Sequence, residues 1–232
     1  MPLRRWIESA NNAIEGIIHA AKTQRHVRYH LYSASTVLIV SFILGVTKTE
    51  FLIIAILALL VILAEMLNSA MENMVDLLSP EIREKARIIK DISAGAVLIS
   101  AFGAAIAGYI ILMPYIKEIF HSGLRISEHT GEDIAIVSLV LVLILVVITK
   151  ARFGKGHPLR GGMPSGHAAL AFSIWVSITY ISENFVVSLL GFIGAFLIAQ
   201  SRITIKAHTP WEVILGALVG ASTTFLLFKI FS

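Results

Sequence analysis

The strongest chemical signal in this chain is a pair of histidines set among basic residues. Residues 150–167 run Lys150-Ala-Arg152-Phe-Gly-Lys155-Gly-His157-Pro158-Leu-Arg160-Gly-Gly-Met-Pro164-Ser165-Gly166-His167. After one apolar run come Ser201-Arg202, and His208 and Glu212 follow shortly after. Four basic residues, a Ser-Gly turn opening a helix and a further arginine together make a site for phosphate. Glycine lets backbone N–H groups approach the anion, and a helix N-terminus adds favourable partial charge. Two histidines beside a bound phosphate can divide the work, one attacking phosphorus and the other protonating the leaving alkoxide. An acid four residues after a histidine on one helix can hold its imidazole in the attacking tautomer. Each element alone has a plain alternative: a helix cap, a topological charge signal, a helix start. The joint arrangement is what points to phosphate chemistry.

A second polar constellation lies earlier. Glu65, Asn68, Ser69, Glu72 and Asp76 follow an apolar run without a break. Spacings of three and four residues place them on one helical stripe. Three acids on one face repel unless a cation sits there, and Mg²⁺ suits such a stripe because it keeps most of its waters and bridges few carboxylates to substrate phosphates. The plain alternative is a solvated helix end, but ionisable residues at the edge of a membrane span are more often functional. Beyond them, Ser79-Pro80-Glu81 reads as the N-cap and first turn of a short charged helix through Lys90 and Asp91.

The elements that must carry these residues are membrane spans. Of 232 residues 56% are hydrophobic and 15% charged, with a mean hydropathy of +0.83 and no cysteine. That composition argues against a water-soluble globule, a disordered chain, a disulfide scaffold and Cys-ligated zinc. Charge-free runs at 31–47, 51–64, 92–112, 134–149, 168–182, 184–201 and 213–228 predict about seven spans. The first 30 residues carry seven charges and no long apolar core, so no signal peptide is expected. Residues 3–28 predict an amphipathic interfacial helix with Arg4, Arg5, Lys22, Arg25 and Arg28 available to lipid phosphates. With the N-terminus in the cytoplasm, 15 of the 19 Lys and Arg residues fall in inner segments. The net charge of +4 is therefore assigned to cytoplasmic loops and not to nucleic-acid binding. Pro114, two glycines and mixed charges mark residues 113–131 as a linker between a three-span module, 1–112, and a four-span module, 132–232.

Residues 64–98, around Glu65-Met-Leu-Asn68-Ser-Ala-Met-Glu72, resemble the bacterial diacylglycerol kinase and undecaprenol kinase family over roughly residues 5–112. The resemblance implies a basic interfacial helix, three spans and a homotrimer with composite sites. It also implies Glu65 as general base, Asn68 as its neighbour, Glu72 as metal ligand, and Asp76, Lys90 and Asp91 near the nucleotide of Mg-ATP. Arg28 matches a basic position at the first span. Gln24 stands where the family has a second metal-binding glutamate.

The later motifs resemble the type 2 phosphatidic acid phosphatase family over residues 132–230. That resemblance implies His208 as a nucleophile forming a phosphohistidine and His167 as general acid. It gives Glu212 as the residue orienting His208, and Lys150, Lys155, Arg160, Ser165, Gly166 and Arg202 as phosphate ligands, with no metal or other cofactor. His157-Pro158 replaces the family's Arg-Pro, and Glu212 replaces its aspartate.

The sequence thus predicts an all-α integral membrane protein of the bacterial inner membrane. Both polar sites are expected on the cytoplasmic face, acting on a membrane lipid phosphate. The expected main activity is lipid-phosphate hydrolysis, with an Mg-ATP-dependent lipid kinase, alone or alongside it, as the alternative. A non-catalytic module that binds lipid phosphate is the third reading.

Overall fold

The computed structural model describes residues 2–79, 84–123, 126–153 and 162–232. These form eight helices: α1 (Pro2–Thr23), α2 (Arg25–Ile43), α3 (Lys48–Leu78), α4 (Glu84–Ser122), α5 (Gly131–Phe153), α6 (Gly166–Ser182), α7 (Phe185–Thr204) and α8 (Pro210–Phe231). Helices α3, α4, α5, α7 and α8 are long and apolar enough to cross a membrane, and the protein is an all-α integral membrane protein. Seven spans were expected. Helix α6, at 17 residues, falls short on length, and α2 opens with a charged and polar first half that dilutes its apolar second half.

By contacts the chain divides into two compact units. One joins residues 1–22 to Glu128–Ser232, and the other is Thr23–Ser127. This differs from the expected division at 113–131, which kept the first 22 residues with the first three spans. Two residues of α1, Ile18 and Ala21, are fully buried.

In the Thr23–Ser127 unit, Gln24 breaks α1 from α2 with an extended backbone. Helix α2 ends on Gly45, whose φ of 64° suits glycine, and Val46 N–H reaches back to the Ser41 carbonyl, a Schellman closure. Thr47 and Glu50 then open α3 with a reciprocal capping box. At 31 residues α3 is about 46 Å long, more than a bilayer's apolar thickness of about 30 Å. Its polar last third therefore continues the span. The expected loop after residue 112 is instead helix: α4 runs unbroken through Pro114 to Ser122. A membrane helix accommodates one proline more readily than a soluble helix does, and the residue after it is anchored. Tyr115 donates from its hydroxyl to Glu50 Oε2 at 2.6 Å. Ser79 closes α3, and the helix start expected at Pro80-Glu81 lies outside the described residues.

In the other unit, α6 packs along α8. Gly216 and Gly220 of α8 meet the backbone carbonyls of Ser165 and Ala169, so closely that a Cβ at either glycine would strike them. One turn on, Ser173 Oγ and Thr224 Oγ1 share a buried 2.6 Å hydrogen bond. Residues 165, 169 and 173 thus match 216, 220 and 224 in steps of four. Small residues at that spacing let membrane helices approach closely. Helix α8 starts with a Thr209–Glu212 capping box and Pro210 at its first position, and Asn184 caps α7.

Candidate functional site

Two sites emerge, one in each unit. In the C-terminal unit the close α6–α8 packing brings the start of α6 beside the start of α8, where Ser165 N–H donates to the Glu212 carbonyl at 2.8 Å. His208 lies just before α8 and is 6% exposed. Its Nδ1 donates to Glu212 Oε2 at 3.0 Å, which leaves the Nε2 lone pair for attack. The same carboxylate accepts the Thr209 N–H at 3.1 Å and the Gly162 N–H at 2.9 Å. Glu212 takes the position expected of it, where the resembled family has an aspartate. Its extra methylene lets one carboxylate close the helix cap and hold the histidine together.

Lys150, in the last turn of α5, is 4% exposed, and its charge and that of Arg202 act on both histidines. The Arg202 carbonyl accepts the Ala207 and His208 N–H groups, fixing the turn that carries His208. Burial pushes the His208 imidazole below the ordinary histidine range. The Glu212 hydrogen bond opposes that shift and the Lys150 charge adds to it. Ser165 caps α6 but makes no capping bond. Its Oγ is fully buried without a partner among the described residues, so the site holds a donor with nothing to donate to. His167, in the first turn of α6, stays exposed. The structure thus gathers His208, Glu212, Lys150, Ser165, Gly166, His167 and Arg202. Lys155 and Arg160, with His157 and Pro158, lie outside the described residues.

In the Thr23–Ser127 unit, Glu65, Asn68 and Ser69 are buried on the expected stripe of α3 and Glu72 is half-buried. Asn68 Nδ2 donates to Glu72 Oε1 at 3.1 Å. From α4, Ser93 Oγ donates to Asn68 Oδ1 at 2.6 Å, with the Lys90 carbonyl at 2.9 Å as the other acceptor. Lys90 Nζ pairs with Asp76 at 2.6 Å, joining two of the expected nucleotide positions. Asp91 instead faces Arg87, 3.7 Å away on its own helix, and both are largely exposed. His30 Nε2 lies 3.9 Å from Glu65 Oε2. Sequence reasoning missed Ser93 and His30, since a single serine or histidine in a helix carries no spacing signal.

No group of three or more metal-binding side chains occurs among the described residues. Mg²⁺ that arrives on nucleotide phosphates needs only one or two carboxylates. Glu72 fits that need, because Asn68 holds one of its oxygens and leaves the other.

The prokaryotic diacylglycerol kinase family model matches residues 11–112. The undecaprenol kinase of Bacillus subtilis (strain 168) is 35% identical over 112 residues, covering 48% of this chain and 91% of that protein. A diacylglycerol kinase of Synechocystis is 36% identical over 100 residues, 43% of this chain and 57% of that protein. That of Haemophilus influenzae is 32% identical over 98 residues. No solved structure matches the chain. The family match stops at residue 112, so the comparisons favour the kinase expectation and lend nothing to the phosphatase one. Through residues 11–112 the chain belongs to the prokaryotic diacylglycerol kinase family.

Proposed function

We propose that this protein transfers the γ-phosphoryl group of Mg-ATP to the hydroxyl of a membrane lipid alcohol, of the diacylglycerol or polyprenol class. The observation that carries the reading is the buried Glu65 at the head of the Asn68–Glu72–Ser93 network, inside the family-matched residues. Glu65 takes the proton of the lipid hydroxyl as its oxygen bonds to phosphorus and the bond to ADP breaks. Asn68 fixes Glu72, which would hold Mg²⁺. The ion supplies charge neutralisation between the phosphates. Asp76, Lys90 and Asp91 would contact the nucleotide, and Arg28 would supply a further cation. The trimer implied by the family resemblance belongs to this reading.

Label from γ-labelled ATP should appear on diacylglycerol or undecaprenol in mixed micelles, and Glu65→Gln should abolish it. No transfer by the wild type to either lipid overturns the reading.

A second reading is favoured by one observation, the His208–Glu212 pair with Lys150 buried beside it. In it the C-terminal unit hydrolyses a lipid phosphomonoester or diphosphate. His208 Nε2 attacks phosphorus, His167 protonates the leaving alkoxide, and water then releases phosphate from the phosphohistidine. Ser165, Gly166, Arg202 and Lys150, with Lys155 and Arg160 from the basic loop, hold the phosphate oxygens. Phosphate release from phosphatidate in EDTA, lost in His208→Ala, is the expected result. Release that needs Mg²⁺ or survives His208→Ala counts against it.

A further inference from the structure

The Thr23–Ser127 unit carries an open cleft of about 360 Å³ lined by α2, α3 and α4. Its walls run from His30 to Val37 on α2, from Ile54 to Val61 on α3 and from Ala101 to Gly108 on α4. Each stretch advances about 10 Å at the helical rise. Short connections make neighbouring helices antiparallel. Counting from each connection puts His30, Val61 and Ala101 at one end of the cleft, and Val37, Ile54 and Gly108 at the other. Glu65 lies one turn past Val61, at the His30 end. The slot is therefore polar at its head and apolar along its length, and the small residues of α4 leave it open.

The head has a specific geometry. His30 Nε2 and Glu65 Oε2 are 3.9 Å apart, too far for a direct hydrogen bond and close enough for one oxygen to touch both. A hydroxyl placed there gives its proton to Glu65 and accepts an N–H from His30, which leaves its other lone pair free. The charged and titratable groups acting on Glu65 are His30, His26 and Glu72. With two carboxylates present, a neutral hydroxyl suits the head better than an anionic phosphate does.

We infer that this cleft takes the first stretch of the acceptor's hydrocarbon chain and that His30 positions the acceptor hydroxyl against Glu65. This rests on the kinase reading and adds to it a residue and a slot on this chain. His30 is a positioning residue for the acceptor and not for the nucleotide.

The test uses the full-length protein in mixed micelles with diacylglycerol and Mg-ATP. His30→Ala should raise KM for the lipid at least tenfold and leave KM for ATP within twofold. His30→Gln, which keeps an N–H donor, should recover most of the loss. Ala105→Phe, which fills the slot, should raise KM for long-chain acceptors and spare short-chain ones. An unchanged lipid KM in His30→Ala, or a parallel rise in KM for ATP, overturns the inference and leaves the kinase reading standing.

A second arm does not depend on turnover. A long-chain alcohol carrying a diazirine on its chain should label residues 101–108, and Ala105→Phe should remove that label. Labelling spread over the lipid-facing sides of α3 and α4, unchanged by Ala105→Phe, overturns the slot. Labelling at 101–108 without phosphoryl transfer takes down the kinase reading and keeps the slot.

Discussion

The two units solve opposite problems. In the C-terminal unit, 44% of the most apolar stretch of α5 is buried, against 6% for α4 in the Thr23–Ser127 unit, and α4 has no fully buried residue. The first unit has a core of its own, made where α6 and α8 touch backbone to backbone. Its site follows from that contact: Glu212 is locked by three donors, and His208, Lys150 and Ser165 are buried around it. The second unit is a thin layer of three helices. Its site is a stripe along α3 that begins buried at Glu65 and ends exposed at Asp76. A site built into a core has its buried side chains in place before its ligand arrives. A site laid along a helix end waits for ligand, lipid or further copies to enclose it.

This contrast can be broken most sharply by crossing two substitutions. Glu65→Gln should remove lipid-alcohol phosphorylation, by roughly 10²–10⁴-fold for a lost general base, and leave phosphate release intact. His208→Ala should do the reverse. Loss of both activities in either variant would show that the sites are not independent.

Next in size is Glu212→Gln, expected to lower phosphate release by roughly 10²–10⁴-fold, since an amide no longer fixes the tautomer. It carries a pH signature. In the phosphatase reading His208 would attack in its neutral form, and its lowered pKa keeps it neutral below the ordinary histidine value of about 6.5. The acid limb of kcat/KM in the wild type should thus lie below that value. The Glu212 charge and hydrogen bond raise the His208 pKa, so Glu212→Gln should move the limb further down. A limb that moves up contradicts the assigned roles.

Gly220→Val should cost about 1–3 kcal/mol from overpacking, seen as a lower melting midpoint in detergent. It should impair phosphate release and spare the kinase. Ser165→Ala is smaller and opposite in sign for stability. Removing a buried, unpartnered hydroxyl should leave the melting midpoint unchanged or higher, while KM for the lipid phosphate rises severalfold. Smallest is Tyr115→Phe, a loss of about 1 kcal/mol confined to the Thr23–Ser127 unit.

Much of this was legible in the sequence, for reasons that differ by residue. Glu65, Asn68 and Glu72 were legible because helical period alone places them on one face. His208 and Glu212 were legible by their four-residue spacing, although they do not share a helix: His208 precedes the Thr209 cap of α8, and the Glu212 carboxylate reaches back to it from the first turn. The spans were legible where charge was absent, the body of α4 at 92–112 among them, but its continuation to Ser122 was not, because Pro114 and the glycines beyond it read as a linker when residues are weighed singly. The bond from Tyr115 to Glu50 spans 65 positions and leaves no local trace. The meeting of His30 and Glu65 depends on a helical hairpin, which sequence spacing does not encode. The close approach at Gly216 and Gly220 emerges only once the opposing face of α6 is known.

One consequence follows from the grouping of the first 22 residues with Glu128–Ser232. Helix α1 leaves the ribosome well before the residues it groups with. Between them lie the 105 residues from Thr23 to Ser127. At a synthesis rate of about 5–20 residues per second, α1 waits roughly 5–20 seconds for its unit to be made. During that interval its amphipathic face has the membrane surface as its natural resting place. The whole Thr23–Ser127 unit is inserted before the unit that brackets it is complete.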